Sequence, residues 1–273
     1  MENSSRKYYE LCVLIPCYNN LQGLQKSIES IKYANGKCLI VIVDDGSAEP
    51  VTAASILKYN GHTLPLHIIT LQENSGITFA LNTGLKWILT EISCDFIARL
   101  DCGDINDHAR YYKQINYLRV NTDIMLLGSW CHFHHPEKNL KFNYKSPEHH
   151  REIKRALYFR NVFIHPTVVF RTTIFEKTGL YPHEYPHCED YALCWKISNL
   201  AQTAVFPAYL VVCEINTKGI SNSNRIKQLQ SRKVIVQKFG NKFALRWLGK
   251  LKLTILMKMP YSLILNVKKL ISF

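Results

Sequence analysis

Beyond Glu214 the sequence contains no acidic residue, although 13 lysines and arginines fall between there and Phe273. The first 214 residues hold the other 21 basic residues against all 21 acidic ones, so the formal net charge of +13 lies entirely at the carboxyl end. A neutral body with a cationic end suggests a surface for anions, with nucleic acid and anionic lipid as candidate partners. No run of about 18 apolar residues occurs, which argues against a transmembrane helix. Met1 to Glu10 is polar and lacks the apolar segment of a secretory leader, so none is expected. The nine cysteines (12, 17, 38, 94, 102, 131, 188, 194 and 213) include no CxxC pair. Several lie inside apolar runs, where a free thiol acts as a small hydrophobe. They read as reduced and cytosolic rather than as zinc ligands or a disulfide framework. No glycine-rich basic loop occurs from Cys17 to Leu24, which argues against a nucleotidyltransferase.

The 273 residues, 47% of them hydrophobic, suffice for one large domain or a domain plus an appendage. Their organising stretch is Asp44-Asp45-Gly46-Ser47, which follows the apolar run Cys38 to Val43. Six apolar, largely β-branched residues without alternation read as a strand buried on both faces. Carboxylates at the end of such a strand lie at the carboxyl edge of a parallel sheet, where open α/β folds bind ligands. The plain alternative is a turn, in which Asp and Gly are common.

Glu10 to Pro16 reads as the first strand, ended by the proline, with Cys17 to Asn20 as a loop. Leu21, Leu24, Ile28 and Ile31 have helical spacing. A helix over about 51–59, a strand over Pro65 to Leu71, a helix opened by Asn74-Ser75-Gly76 and a strand over Cys94 to Leu100 continue the alternation. This order implies a mainly parallel sheet flanked by helices. Asp101-Cys102-Gly103-Asp104 repeats the pattern of apolar strand, Asp, then Gly. Carboxylates at strand ends suit Mg²⁺ or Mn²⁺, which take oxygen ligands and bridge phosphates. A local ion pair with Arg99 is the structural alternative for Asp101.

Farther on, His108 to Val120 reads as a helix with Tyr112, Ile115 and Leu118 inward, and Ile124 to Trp130 as a strand. His132, His134 and His135 fall in a polar hairpin region without helical ligand spacing, so they are not assigned a metal. Ser146 and Pro147 look like a helix cap and first turn. Val162 to Phe170 reads as extended, and Ala204 to Ile215 as a last strand. Glu189-Asp190 opens a helix burying Leu193, Ile197 and Leu200; carboxylates there also suit the positive end of the helix dipole. At the carboxyl end Phe243, Trp247, Leu251, Ile255 and Met259 recur every fourth residue among Arg246, Lys250, Lys252 and Lys258, until Pro260 breaks the pattern. That composition suits a helix lying in a membrane interface; an amphipathic helix packed on the domain is the alternative. So large an apolar stripe would not contact phosphates, which argues against nucleic acid.

Five segments together resemble glycosyltransferase family 2 with its GT-A fold: Leu14 to Asn19, Val43 to Ser47, Asn74-Ser75-Gly76 with Asn82-Thr83-Gly84, Ala98 to Asp101, and Asp104-Ile105. Phe163 to Arg171 and Glu189-Asp190-Tyr191 resemble two further motifs of its members that assemble bacterial polysaccharides. The likeness covers about residues 10–215. It implies a donor-nucleotide half over about 10–105, an acceptor half over about 106–215, and a basic amphipathic helical tail over 216–273. It also implies inverting transfer of a sugar from a nucleotide-sugar donor to a hydroxyl of a lipid-linked glycan, in O-antigen, capsule or other surface polysaccharide synthesis. Pro16 and Tyr18 would line the nucleobase, Asp45 with Asp44 would hold the base or ribose, and Gly76 would admit the nucleotide. Asp101 would bind ribose and a phosphate-bound Mn²⁺ or Mg²⁺. Asp190 matches the catalytic base, Glu189 would position it or the acceptor, and His165 would sit near the sugar or diphosphate. The usual Asp-Ala-Asp-Asp has Gly103 at its third position here, so either Asp104 joins Asp101 as metal ligand or fewer protein ligands hold the ion. Leu81 stands where the family often has Arg before Asn82. The tail would place the protein in the cytoplasm, peripheral on the inner membrane face. The alternative is a catalytically impaired membrane-surface or carbohydrate-binding protein on the same fold.

Overall fold

The two uninterrupted apolar runs form the middle of a sheet. A computed structural model describes residues 6–34, 36–57, 64–135, 140–215 and 224–259. β1 (Tyr8–Cys17) lies between β2 (Cys38–Asp44) and β4 (Ser93–Arg99), parallel to both, and β3 (Leu66–Thr70) continues the parallel array beyond β2. Successive residues of β1 point to opposite faces. Cys12 and Leu14 join one core with α3 (Ile77–Glu91); Leu11, Val13 and Ile15 join another with α1 (Leu21–Glu29) and α4 (Arg110–Val120). Both faces are covered, so alternation of polar and apolar residues has no physical basis. β1 runs one residue past Pro16, the expected end, because its pairing with β4 stops at Leu14 and leaves one edge of Pro16 open.

Past β4 the sheet becomes mixed. β5 (Ile105–Asn106) and β6 (Ile124–His135) pair with the long β9 (Gln202–Glu214), β5 antiparallel and β6 parallel. β7 (Leu140–Tyr144) folds back on β6, and β8 (Val169–Arg171) bridges β6 and β4, antiparallel to both. The full order is β3-β2-β1-β4-β8-β6-β9-β5, with β7 on β6. Connecting helices are α2 (Ala53–Leu57), α5 (His150–Leu157), α6 (Ile174–Thr178) and α7 (Glu189–Leu200).

Several local expectations change. β6 extends to His135, so His132 and His134 lie in a strand, and His132 stacks on Tyr209. α5 begins at His150, not at Ser146, whose hydroxyl instead donates to the Val162 carbonyl at 2.6 Å. The stretch from Val162 is interrupted by a 3-10 turn, His165–Thr167. Tyr111 faces the core in α4, while Tyr112 is exposed and stacks on Tyr33. Leu200, the last residue of α7, is also exposed. The part of the 51–59 helix beyond Leu57, Pro136, and the segment from Pro260 to Phe273 lie outside the described residues.

Two helices follow β9. α8 (Arg225–Phe239) and α9 (Phe243–Lys258) pack as a pair. Leu229, Ile235, Val236 and Leu253 enter the same core as Trp195 of α7 and Tyr158 after α5. Tyr158 is the anchor: its hydroxyl accepts from the Lys242 amide at 2.9 Å and donates to Asn241 Oδ1 at 3.1 Å. Gly249 of α9 crosses directly over it. A β-carbon at Gly249 would stand 2.3 Å from the Tyr158 carbonyl oxygen, a backbone atom that cannot rotate away. The opposite side of α9 exposes Phe243, Trp247, Leu248, Leu251 and Ile255. Among the described residues no helix is long and apolar enough to cross a membrane. Gly249→Ala is expected to push α9 off Tyr158, lowering unfolding free energy in urea by about 1–3 kcal/mol, the usual cost of overpacking. An unchanged urea midpoint and unchanged protease resistance of α9 would reject this packing.

Candidate active site

The carboxyl ends of β1, β2 and β4 converge, and the acidic residues there separate into two kinds. Asp44 is fully buried and commits both oxygens inside its own turn, accepting from the amides of Ser47 at 3.1 Å and Val51 at 2.8 Å. Asp45 clamps a different loop, accepting from the amides of Ser75 at 2.9 Å and Gly76 at 3.0 Å. The loop passes so close that a β-carbon on Gly46 would lie 2.3 Å from the Glu73 backbone. Asp45 thereby holds Gly76, at φ +88°, at the start of α3 with open space beside it. Such a φ is easy only for glycine, and α3 opens with amides that suit an anion. Pro16 is buried beneath this edge, and Tyr18 beyond it is half exposed.

Asp101 differs: its side chain is 41% exposed and one oxygen pairs with Arg99. Arg99 is buried. It donates to the carbonyls of Leu14 at 2.7 Å and Leu100 at 2.9 Å, and to His165 Nε2 at 3.4 Å. Tyr181 Oη lies 2.8 Å from the same His165 nitrogen. Arginine only donates, so Nε2 is an acceptor and the ring is neutral; burial, then the Arg99 charge, holds the imidazole down at about 3. His165 therefore braces Arg99 and Tyr181.

Asp104 is buried and accepts from the Glu214 amide at 2.8 Å. Burial and then the Asp101 charge push its carboxyl well above the ordinary range. Gly103 sits between them at φ +102°, and the nearest atom to the β-carbon it lacks is Glu214 Oε2 at 4.0 Å. Among the described residues no three His, Cys, Asp or Glu side chains stand close enough to hold a metal ion by themselves. Asp101 fits a cation shared with phosphate oxygens, because it retains an exposed carboxylate. Asp104 fits poorly, because burial favours its neutral form and a backbone amide occupies one oxygen.

The second half of the sheet brings α7 to this edge. Asp190 is half-buried and accepts from Asn161 Nδ2 at 2.8 Å on one oxygen. Burial raises its carboxyl. Glu189 is buried, and its Oε2 has no hydrogen-bond partner among the described residues. Burial, then the Asp190 charge, pushes Glu189 up to about 7. The Asp101 charge acts on both residues, and those of Glu189 and Asp190 act on Tyr181. Folding thus gathers Asp101, Arg99, Tyr181, Glu189 and Asp190 into one electrostatic neighbourhood. Tyr181, Asn82 and Asn161 were not legible as site residues. Asn82 fixes Tyr181 through both backbone groups, at 2.8 and 2.9 Å, across 99 positions of sequence. Only the Asn82-Thr83-Gly84 motif hinted at it.

Comparisons with known proteins agree with this architecture. The family model described as glycosyl transferase family 2 matches residues 12–179. The amylovoran biosynthesis glycosyltransferase AmsE of Erwinia amylovora is 28% identical, over 87% of each chain. A UDP-Gal:alpha-D-GlcNAc-diphosphoundecaprenol beta-1,3-galactosyltransferase of Escherichia coli is 29% identical over 58% of this chain and 55% of its own. Among solved structures, residues 1–349 of S. aureus TarS in complex with UDP-GlcNAc superpose with TM-score 0.63 at 18% identity, covering 88% of this chain and 70% of that one. The longer TarS chain is spanned over only 41% of its length. The mannosyltransferase PcManGT of Pyrobaculum calidifontis, in complex with GDP-Man and Mn²⁺, gives 0.62 at 15% identity, over 93% of this chain and 70% of that one. The fold is GT-A, and by the family match over residues 12–179 the chain belongs to glycosyl transferase family 2.

Proposed function

We propose that this glycosyltransferase moves a sugar, with inversion, from a nucleoside-diphosphate donor to a hydroxyl of a lipid-linked glycan in surface-polysaccharide synthesis. The observation that carries the reading is that the ion pair of Arg99, at the end of β4, with Asp101 just after it lies within electrostatic reach of Glu189 and Asp190 on α7. The donor would lie along the edge of β1 and β2, its base near Pro16 and Tyr18 and its ribose near Asp101. Asp44 and Asp45 shape this pocket by holding its loops. A Mn²⁺ or Mg²⁺ ion held by Asp101 and the donor's phosphate oxygens would supply positive charge to the leaving diphosphate. The names of the amylovoran and diphosphoundecaprenol relatives support a polysaccharide acceptor on a lipid diphosphate.

The chemistry follows from the two carboxylates. The acceptor oxygen attacks the anomeric carbon as the bond to the diphosphate breaks, and the acceptor proton passes to a carboxylate. Asp190 suits that role, because Asn161 fixes one oxygen and partial exposure leaves the group approachable. Glu189, buried with one oxygen unpartnered, suits orienting a sugar hydroxyl. The apolar outer side of α9, with Trp247 and Phe243 exposed among cations, suits the interface of an anionic membrane. This would keep the protein at the inner face of the cytoplasmic membrane, beside its acceptor.

Asp190→Asn is expected to lower transfer by about 10²–10⁴-fold while leaving donor affinity intact. Retained turnover with the true acceptor would remove the assignment. A panel of nucleotide sugars should yield one donor bound selectively with Mn²⁺, weakened by EDTA or by Asp101→Asn. Binding indifferent to both removes the metal reading, and no binding across the panel favours a non-catalytic role. The raised Glu189 carboxyl also affects stability. Between its ordinary 4.5 and about 7 the folded protein holds this proton and the unfolded chain does not. Stability therefore falls as pH rises through that window, and above it the group costs the fold on the order of 3 kcal/mol. Urea titrations at both ends of the window should show a flatter dependence for Glu189→Gln and greater stability than wild type at the alkaline end. Parallel curves would show that Glu189 ionises normally.

A further inference from the structure

Three cations from three separate elements face one another's charge, and Arg232 also acts on Asp190. Arg160 follows α5, Arg232 stands on α8 and Lys252 on α9. The Arg160 guanidinium carbon lies 5.1 Å from the centre of the Tyr144 ring, and its Nη2 donates to the Lys145 carbonyl at 3.2 Å. The Arg232 guanidinium carbon lies 5.1 Å from the centre of the Tyr191 ring. Among the described residues the ion pairs are Arg99–Asp101 and Arg119–Glu10, so none of these three cations has a carboxylate within pairing distance. An aromatic face orients a guanidinium while leaving its N–H edge free for an anion.

Short contacts tie the cluster to the reacting groups. The Tyr144 hydroxyl donates to the Asn161 carbonyl at 2.8 Å, and the Asn161 amide donates to Asp190. Tyr191, beneath Arg232, is the next residue after Asp190 on α7. The charges of Arg160 and Arg232 both reach Tyr144 and Lys252, and that of Arg232 reaches Asp190. Lys252 is held below its ordinary value, first by partial desolvation and then by those two guanidinium groups. Like charges assembled by packing repel, and an anion among them relieves the repulsion. Arg232 and Lys252 belong to the two helices whose outer side carries the exposed apolar stripe. An acceptor arriving from a membrane would meet these cations on its way to Asp190.

We propose that Arg160, Arg232 and Lys252 form a binding site for the phosphate or diphosphate of the acceptor, seating it so that its sugar hydroxyl reaches Asp190. The assignment rests on the reading of the acceptor as a phosphate-linked glycan, yet its test needs no turnover. Inorganic pyrophosphate is titrated calorimetrically into the full chain with EDTA present, which suppresses metal-dependent binding on the donor side. Wild type is expected to bind, and the R160Q/R232Q double variant to bind about tenfold more weakly, as loss of charge-assisted hydrogen bonds implies. K252Q should weaken binding by a smaller factor, and K113Q, an exposed charge on α4, should leave it unchanged. R232K keeps the charge without the planar fork and should fall between wild type and R232Q, a comparison that stands even where the double variant folds poorly. Equal pyrophosphate affinity in wild type, R232K and R232Q, or no binding by wild type, overturns the proposal. So does a variant that loses co-sedimentation with phosphatidylglycerol vesicles while keeping pyrophosphate affinity, since the cations would then serve lipid headgroups. Selective donor binding with unaltered pyrophosphate affinity defeats this site alone. Pyrophosphate binding lost in R232Q, without any donor bound, defeats the transferase reading and spares the anion site.

Discussion

A buried guanidinium must find an acceptor for each of its edges, and Arg99 meets that demand at the point where the two halves of the sheet join. The carbonyls of Leu14 and Leu100 satisfy it from β1 and from the end of β4, His165 from the 3-10 turn, and Asp101 from the site itself. Removing a partner from such a group is costly, because the charge stays buried. The geometry of three elements is therefore conditional on one side chain. The field of Arg99 then sets the surroundings: it helps to keep His165 neutral and acts on Glu189.

The same requirement explains why so many carboxylates at this edge serve structure. Strands that end together leave backbone amides pointing at the ligand side, and loops leaving them need acceptors. Asp44 and Asp45 provide them, and Asp104 secures the end of β9 through the Glu214 amide. Asp101 and Asp190 stay partly exposed, and each carries one such partner, Arg99 and Asn161. The carboxyl-terminal helices are part of this arrangement. Trp195, Tyr158 and Tyr191 pack on one another, and α8 and α9 close over them, so a cationic segment borders the carboxylate pair.

How far the site can be read from residues depends on the range of the interaction. The strand-end clusters are local: an apolar run and the Asp that ends it lie within a few residues, and the period of the run reports its burial. The parallel half and the carboxyl-edge position of Asp44, Asp45 and Asp101 were legible for that reason. Tyr112 and Leu200 were misplaced because a helix face depends on which neighbour arrives. Tyr111 won the core position in α4 once that helix packed against β6 and β9. Ser146 looked like a cap, but the Val162 carbonyl, 16 residues away, took its hydroxyl.

By itself the sequence determined the α/β class, the strand-end acidic motifs, the family and the concentration of positive charge after Glu214, because each is written in neighbouring residues or in composition. Only the tertiary structure decided which carboxylates are buried on loop amides and which stay partly exposed. It also decided that the apolar stripe of α9 faces outward and that Arg160, Arg232 and Lys252 stand together. Those outcomes depend on hydrogen bonds and charges between residues 30 to more than 100 positions apart, and no local pattern carries such distances.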